Sequence, residues 1–295
     1  MQDLCYFEAS DGVKVRYIDV GEGRPLIFIH GFGSNAESSM PYFNVLQARC
    51  RCVTWDQRGC GHTDAINVGL KQSAQDLNAL ITHLHLEKAA VLGYSMGGSV
   101  VFSYFEQFGS DHIDRILIGD MTPKVLNDES WRLGLHQGNY FQKDYDNDIA
   151  MMKNSFTDFI TYFVALCLIK SHPDDPREFS VKPGHRRLIV DAMGGSETLV
   201  DAMLNVPEHL RSSCIQYLRD IMDMDFREVL PKIDVPTALI HARPGSIYAP
   251  EAAAYMAERI PNAVLYPFED CTHMLRSEKP QQFIQTIDEF MGGIP

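Results

Sequence analysis

Ala89-Ala90-Val91-Leu92-Gly93-Tyr94-Ser95-Met96-Gly97-Gly98 decides how this 295-residue chain is read. A short apolar run ends at a glycine, one serine follows, and two more glycines come next. Beyond them Val100, Val101, Tyr104, Phe105 and Phe108 recur at helical spacing. The stretch predicts a buried strand running straight into a helix, with Ser95 at the joint. Such an abrupt turn leaves no room for side chains beside it, which accounts for Gly93 and Gly97. The serine is forced into a strained backbone conformation with its hydroxyl projecting. It then stands at a helix N-terminus, where free N–H groups favour negative charge. Gly93-Tyr94-Ser95-Met96-Gly97 fits the pattern G-x-S-x-G and marks Ser95 as a candidate nucleophile. The plainer alternative is an ordinary strand–glycine–helix turn with an incidental serine. The strand before it and the helix after it, both legible, weigh against that.

Working outward, Cys5 to Ser10 and Val13 to Val20 predict two strands joined at the turn signal Asp11-Gly12. Leu26 to Ile29 is a continuous apolar run, as a strand covered on both faces requires, and it ends in His30-Gly31-Phe32-Gly33. A helix is expected from about Ser39 to Gln47. Cys52 to Trp55 is the next strand, followed by the glycine-rich loop Asp56-Gln57-Arg58-Gly59-Cys60-Gly61-His62-Thr63. A helix over Leu70 to Leu86 and a strand over Ile113 to Ile118 complete the first half. From residue 125 to about 225 clean strands disappear, and aromatics and methionines abound, among them Trp131, Tyr140, Phe159 and Phe163. A polar break at Ser171-His172-Pro173-Asp174-Asp175-Pro176 divides this region. The strand–helix rhythm returns with Val235 to His241, a helix from Pro250 to Ile260, a strand from Ala263 to Phe268 and a helix from Glu278 to Met291. The expectation is an α/β fold: a mostly parallel sheet with helices on both faces (residues 1–124 and 226–295) and an inserted helical cap (125–225). Sites in such sheets form at the carboxyl ends of strands. His30, Asp56, Ser95, Asp120 and His273 all fall at or just beyond such ends.

The formal net charge of −13 disfavours nucleic acid and anionic membrane surfaces as partners and leaves a small molecule as the expected substrate. Seven cysteines in scattered positions, without C-x-x-C, argue against a disulfide framework or a zinc site and point to a reducing, cytoplasmic compartment. The N-terminal residues lack a basic region followed by an apolar run, and the apolar segment Phe159 to Ile169 is too short to span a bilayer.

Taken together, His30-Gly31-Phe32-Gly33, the Asp56-x-Arg-Gly-x-Gly-x-Thr63 loop, Gly93-x-Ser95-x-Gly97 and the late His273 resemble the α/β-hydrolase superfamily, in its cap-bearing esterase, lipase and haloperoxidase-like branch. The resemblance spans roughly residues 10 to 290, and it is more specific for fold than for substrate. It implies a serine nucleophile, an acid and a histidine in that chain order, with no metal or organic cofactor. His273 is the only histidine after Ile247 and is the expected base for Ser95. By the same resemblance the oxyanion hole is two backbone N–H groups, those of Met96 and Phe32.

The acid departs from the family pattern. Most members carry it after the strand that here is Thr237 to Ile240, yet His241-Ala242-Arg243-Pro244-Gly245-Ser246-Ile247-Tyr248 holds no carboxylate. Asp120, ending the strand after the nucleophile helix, is the expected replacement, since some members place their acid there. The alternative role for Asp120 is to cap the turn before Pro123. Asp223 and Asp225 are the next candidates; Asp270 stands too close to His273 along the chain, and Glu251 falls within a helix. His30, Asp56 and Arg58 are expected to support loops, and nothing marks Cys60 or Cys271 as nucleophiles. Three functions fit: hydrolysis of a small, mainly apolar ester; C–C or enol-lactone hydrolysis of an anionic ring-cleavage product, which would want Arg132, Arg186, Arg187 or Arg243 in the pocket; or a ligand receptor with little turnover.

Overall fold

The computed structural model describes residues 4–170, 180–245 and 247–292. Its centre is an eight-stranded sheet: β1 (Cys5–Glu8), β2 (Lys14–Val20), β3 (Pro25–Ile29), β4 (Arg51–Trp55), β5 (Ala89–Tyr94), β6 (Ile113–Gly119), β7 (Thr237–Pro244) and β8 (Ala263–Cys271). They lie in the order β1-β2-β4-β3-β5-β6-β7-β8. The β1–β2 and β2–β4 pairs are antiparallel, and every pair from β4 through β8 is parallel.

Alternation along the central strands feeds two separate cores. Ile27, Ile29, Val91, Ile116 and Ile118 point to one face and pack with Leu77, Leu80, Val100 and Val101 from helices Leu70–His83 and Met96–Phe108. Leu26, Phe28, Ala90, Leu92 and Leu117 point to the other and meet Phe43, Leu46, Phe283 and Ile287 from helices Met40–Leu46 and Pro280–Phe290. Neither face of β3, of β5 or of the second half of β6 is free to be polar, so residues 26–29, 89–92 and 116–118 read as unbroken apolar runs, while Asp114 and Arg115 near the start of β6 are only half-buried.

Several element ends differ from the sequence reading, most clearly in the last third of the chain. Strands β7 and β8 run on to Pro244 and Cys271, with Ala242 beside Phe268 and Arg243 ion-paired to Glu269 at 2.9 Å, which extends the ladder past the apolar stretch. The expected last helix is present as Pro280–Phe290, and a separate short helix, Leu275–Glu278, precedes it. Pro280 has no N–H to continue a preceding helix but suits the first turn of a new one. Between β6 and β7 the chain forms helices Gln142–Asn154, Phe156–Cys167, Pro183–Ala192, Glu197–Leu204 and Glu208–Asp223. The expected break over residues 171–176 lies outside the described residues. No helix among the described residues is long and apolar enough to cross a membrane.

Candidate active site

Ser95 sits between β5 and its helix with φ 54° and ψ −126°, in the left-handed half of backbone space that costs a non-glycine residue energy. Close packing imposes it. A Cβ on Gly93 would lie 2.3 Å from the Gly97 carbonyl oxygen, and one on Gly97 would lie 2.3 Å from that of Ile29. Backbone bonds lock the turn from both sides: the Ser95 N–H donates to Gly119 O (2.8 Å), and the Gly98 N–H donates to Ser95 O (2.7 Å).

Two residues far along the chain reach this serine. His273 Nε2 lies 3.0 Å from Ser95 Oγ, and His273 Nδ1 lies 2.6 Å from Asp120 Oδ2. His273 and Asp120 are each 4% exposed. The imidazole arrives on a short loop after β8, braced where Thr272 donates its N–H and hydroxyl to the Glu278 carboxylate (2.9 and 2.6 Å). The Tyr94 hydroxyl donates to the His273 carbonyl. Two rings flank the imidazole, Tyr94 and Tyr248, each with its centroid 5.8 Å away.

Asp120 follows β6 with φ 45°. Its N–H donates to Ile240 O (2.7 Å), and its Oδ1 accepts the Ala242 N–H (3.1 Å). One oxygen is thus fixed to β7 and the other is presented to the imidazole. A carboxylate at Nδ1 selects the tautomer with its proton there, which leaves Nε2 as the acceptor facing Ser95.

The other carboxylates considered from the sequence stand elsewhere. Asp225 pairs with Arg227 at 2.6 Å and Lys124 at 3.6 Å. Asp270 pairs with Lys170 at the surface. Asp223 ends its helix exposed, and Glu251 is exposed in the first turn of helix Pro250–Ala257. Gly245, near where most of the family carry the acid, has φ +97°, and a Cβ there would lie 2.4 Å from Tyr248 O.

The glycine-rich loop after β4 is a scaffold. The Asp56 carboxylate accepts the N–H groups of Ala36 and His62, each at 2.8 Å, and lies 3.4 Å from Arg16. Arg58 is fully buried and forked between Asp76 (2.8 Å, twice) and Asp11 (2.6 and 2.8 Å), so it ties the loop to the β1–β2 turn and to helix Leu70–His83. His30 is equally buried. It contacts Gly31 O through Nδ1 (2.9 Å) and accepts the Gln57 N–H through Nε2 (3.2 Å), and burial holds its pKa below the ordinary 6.5. Burial pushes the thiols of Cys60 and Cys271 up, the latter to about 11, so neither is a ready nucleophile.

A narrow cleft of about 20 Å³ lies against Ser95. Phe32, Met96, Met121, Val125, Leu135 and Phe163 line it together with Leu218, Ile221, Met222, Ile247 and Tyr248. Of the aromatics picked out above, only Phe163 faces it; Trp131 packs edge-on against Tyr255, and Tyr140 hydrogen-bonds to Asp148. The stripe Leu218-Ile221-Met222 had a visible i, i+3, i+4 spacing but no signal saying which side it faced. The four arginines are engaged outside the cleft: Arg132 over the Phe141 ring, Arg186 with Glu197 and Asp201, Arg187 with Asp191, and Arg243 with Glu269. The Phe32 backbone runs next to the nucleophile, since a Cβ on the preceding Gly31 would lie 3.2 Å from Ser95 Cβ. Met96 opens its helix, so its N–H has no partner within it.

The family model described as alpha/beta hydrolase fold matches residues 24–280. The chain is 26% identical over 293 residues to the non-heme chloroperoxidase CPO-A1 of Kitasatospora aureofaciens, covering 96% of this chain and 97% of that one. It is 22% identical over 271 residues to 3-oxoadipate enol-lactonase 1 of Acinetobacter baylyi, covering 91% and 89%. Among solved structures, an esterase from Exiguobacterium antarcticum aligns with a TM-score of 0.79 at 24% identity, covering 97% of this chain and 98% of that one.

Proposed function

Because the chain belongs to the alpha/beta hydrolase fold family, we propose that it is a serine hydrolase that cleaves a small, mainly apolar carboxylic ester through an acyl-enzyme. The observation that carries this reading is the continuous hydrogen-bond line from Ser95 through His273 to Asp120, buried beneath an apolar cleft. A serine hydroxyl is a poor nucleophile without an adjacent base. In the proposed reaction His273 Nε2 takes the Ser95 proton as Oγ attacks the ester carbonyl. Asp120 holds the imidazole and stabilises its charged form. The N–H groups of Met96 and Phe32 donate to the oxyanion, and losing one such donor typically costs about 3–4 kcal/mol. The alcohol leaves with the proton from Nε2, and water repeats the sequence on the acyl group. Residues 125–225 serve as the cap that walls the cleft, and no cofactor enters these steps.

The apolar lining, together with arginines committed to partners elsewhere, favours a neutral ester over an anionic ring-cleavage product. The hydrogen-bonded, buried site favours turnover over passive ligand binding. The test is labelling by a fluorophosphonate probe and turnover of a nitrophenyl ester series of rising acyl length. Labelling and turnover are expected, with the short chains hydrolysed fastest and both activities absent in Ser95→Ala. Labelling that persists in Ser95→Ala, or none in the native protein, overturns the proposal.

A further inference from the structure

Among the described residues that line the cleft, the hydroxyl of Tyr248 is the one polar side-chain group besides that of Ser95. Tyr248 is 6% exposed, packs edge-on against the His273 ring (5.8 Å, 72°), and lies within a few residues of the strand end that carries no carboxylate. Its hydroxyl donates to Met121 Sδ at 3.3 Å. A thioether sulfur is a weak acceptor, and a buried donor left with a weak acceptor forgoes most of what a hydrogen bond returns for its desolvation. Burial also holds the phenol protonated, so it remains a donor. Met121 sits beside the helix that Ser95 heads: a Cβ on Gly98 would lie 3.0 Å from Met121 Cβ. The hydroxyl therefore stands in the cleft wall, next to the base, holding a weak partner that an ether or hydroxyl oxygen brought within its reach would outcompete.

We infer that the Tyr248 hydroxyl is a specificity-determining donor that leaves Met121 for an oxygen acceptor on the substrate, so that esters bearing an ether or hydroxyl oxygen near the scissile carbonyl are selected over their all-carbon counterparts. This rests on the hydrolase reading above and narrows its substrate class. An apolar wall with one side-chain donor away from the reacting carbonyl selects by the penalty it imposes: a substrate lacking the oxygen leaves the hydroxyl on sulfur, and one with the oxygen upgrades the bond.

The test uses two isosteric pairs: 4-nitrophenyl methoxyacetate against 4-nitrophenyl butyrate for the acyl side, and 2-methoxyethyl butyrate against butyl butyrate for the alcohol side. The readout is the ratio of kcat/KM within each pair, compared between the native protein and Tyr248→Phe, so intrinsic reactivity cancels. The native preference for the methoxy member is expected to fall about 3- to 10-fold in Tyr248→Phe for one of the pairs, as loss of one neutral hydrogen bond implies. The responding pair shows which side of the ester the hydroxyl meets. Ratios unchanged within twofold for both pairs overturn the inference. Should Tyr248→Phe not fold, Met121→Leu carries the test. Removing the sulfur frees the hydroxyl and is expected to raise the methoxy preference, whereas no change counts against the inference. If the native protein hydrolyses none of the four esters, the inference falls with the hydrolase reading. Fluorophosphonate labelling of Ser95 separates that outcome from a failure of Tyr248 alone.

Discussion

Asp120 holds a left-handed backbone conformation, one carboxylate oxygen on a β7 N–H and the other on the imidazole. Replacing it with asparagine isolates what its charge and acceptor do. The amide oxygen of the substituted side chain can still take the Ala242 N–H, so the fold is expected to survive with a melting temperature within a few degrees. The amide nitrogen would then face Nδ1 and favour the imidazole tautomer whose proton sits on Nε2, where it blocks acceptance from Ser95. Under the proposed mechanism kcat of Asp120→Asn drops about 10⁴-fold. Circular dichroism alongside ester kinetics checks both halves, and full activity would remove Asp120 from the mechanism. At this scale the sequence was most legible where chemistry and sterics coincide: Ser95 between its glycines, and His273 past the last strand. Tyr248 was not legible, because nothing local distinguishes a tyrosine beside an imidazole from one in a core. Its neighbour Met121 is 127 positions away.

The cleft wall contributed by Leu135 is pinned by polar contacts between elements. The Gln137 N–H donates to Ile247 O (3.2 Å), and Tyr140 donates its hydroxyl to Asp148 Oδ2 (2.8 Å) on helix Gln142–Asn154. Asp148 is buried, and burial raises its pKa to about 7, with nearby Asp144 adding to the rise and the Tyr140 bond opposing it. A carboxyl whose folded pKa exceeds its unfolded value of 3.8 gives its full stabilising contribution below 3.8 and loses it as pH rises through about 7. Asp148→Asn keeps an acceptor for Tyr140 without the titration. It is therefore expected to melt higher than the native protein at pH 8, with the gap shrinking toward pH 5. A gap that stays constant or widens toward pH 5 would contradict this assignment. The sequence reading recognised this region as helical and strand-free, from its aromatic and methionine content. It did not find which faces meet, since a helix with apolar residues on several sides has no single inward face to read.

Across the whole molecule, the excess of acidic residues sets a long-range field that repels anions approaching the cleft. The monoanionic 4-nitrophenyl hemisuccinate is expected to show kcat/KM rising several-fold as ionic strength goes from about 10 mM to about 0.15 M, where the screening length shortens to about 8 Å. Neutral 4-nitrophenyl butyrate is expected to change little over the same range. Equal salt responses would mean that the field does not reach the site. The sheet itself was legible because strands covered on both faces must be apolar throughout, as Leu26 to Ile29 and Ala89 to Leu92 are. The ends of β7 and β8 were not, because Arg243 and Glu269 extend the ladder with residues that look like loop.

The supply of a carboxylate from β6 has a consequence for how related chains are sorted. The tips of β6 and β7 lie side by side, so a carboxylate at the end of β6 can be anchored by a β7 N–H and still reach the imidazole. A survey that scores members of this superfamily by the residue after β7 alone would overlook the carboxylate that this chain presents from β6. The turn after β7, free of that duty, instead leads to Tyr248 in the cleft wall.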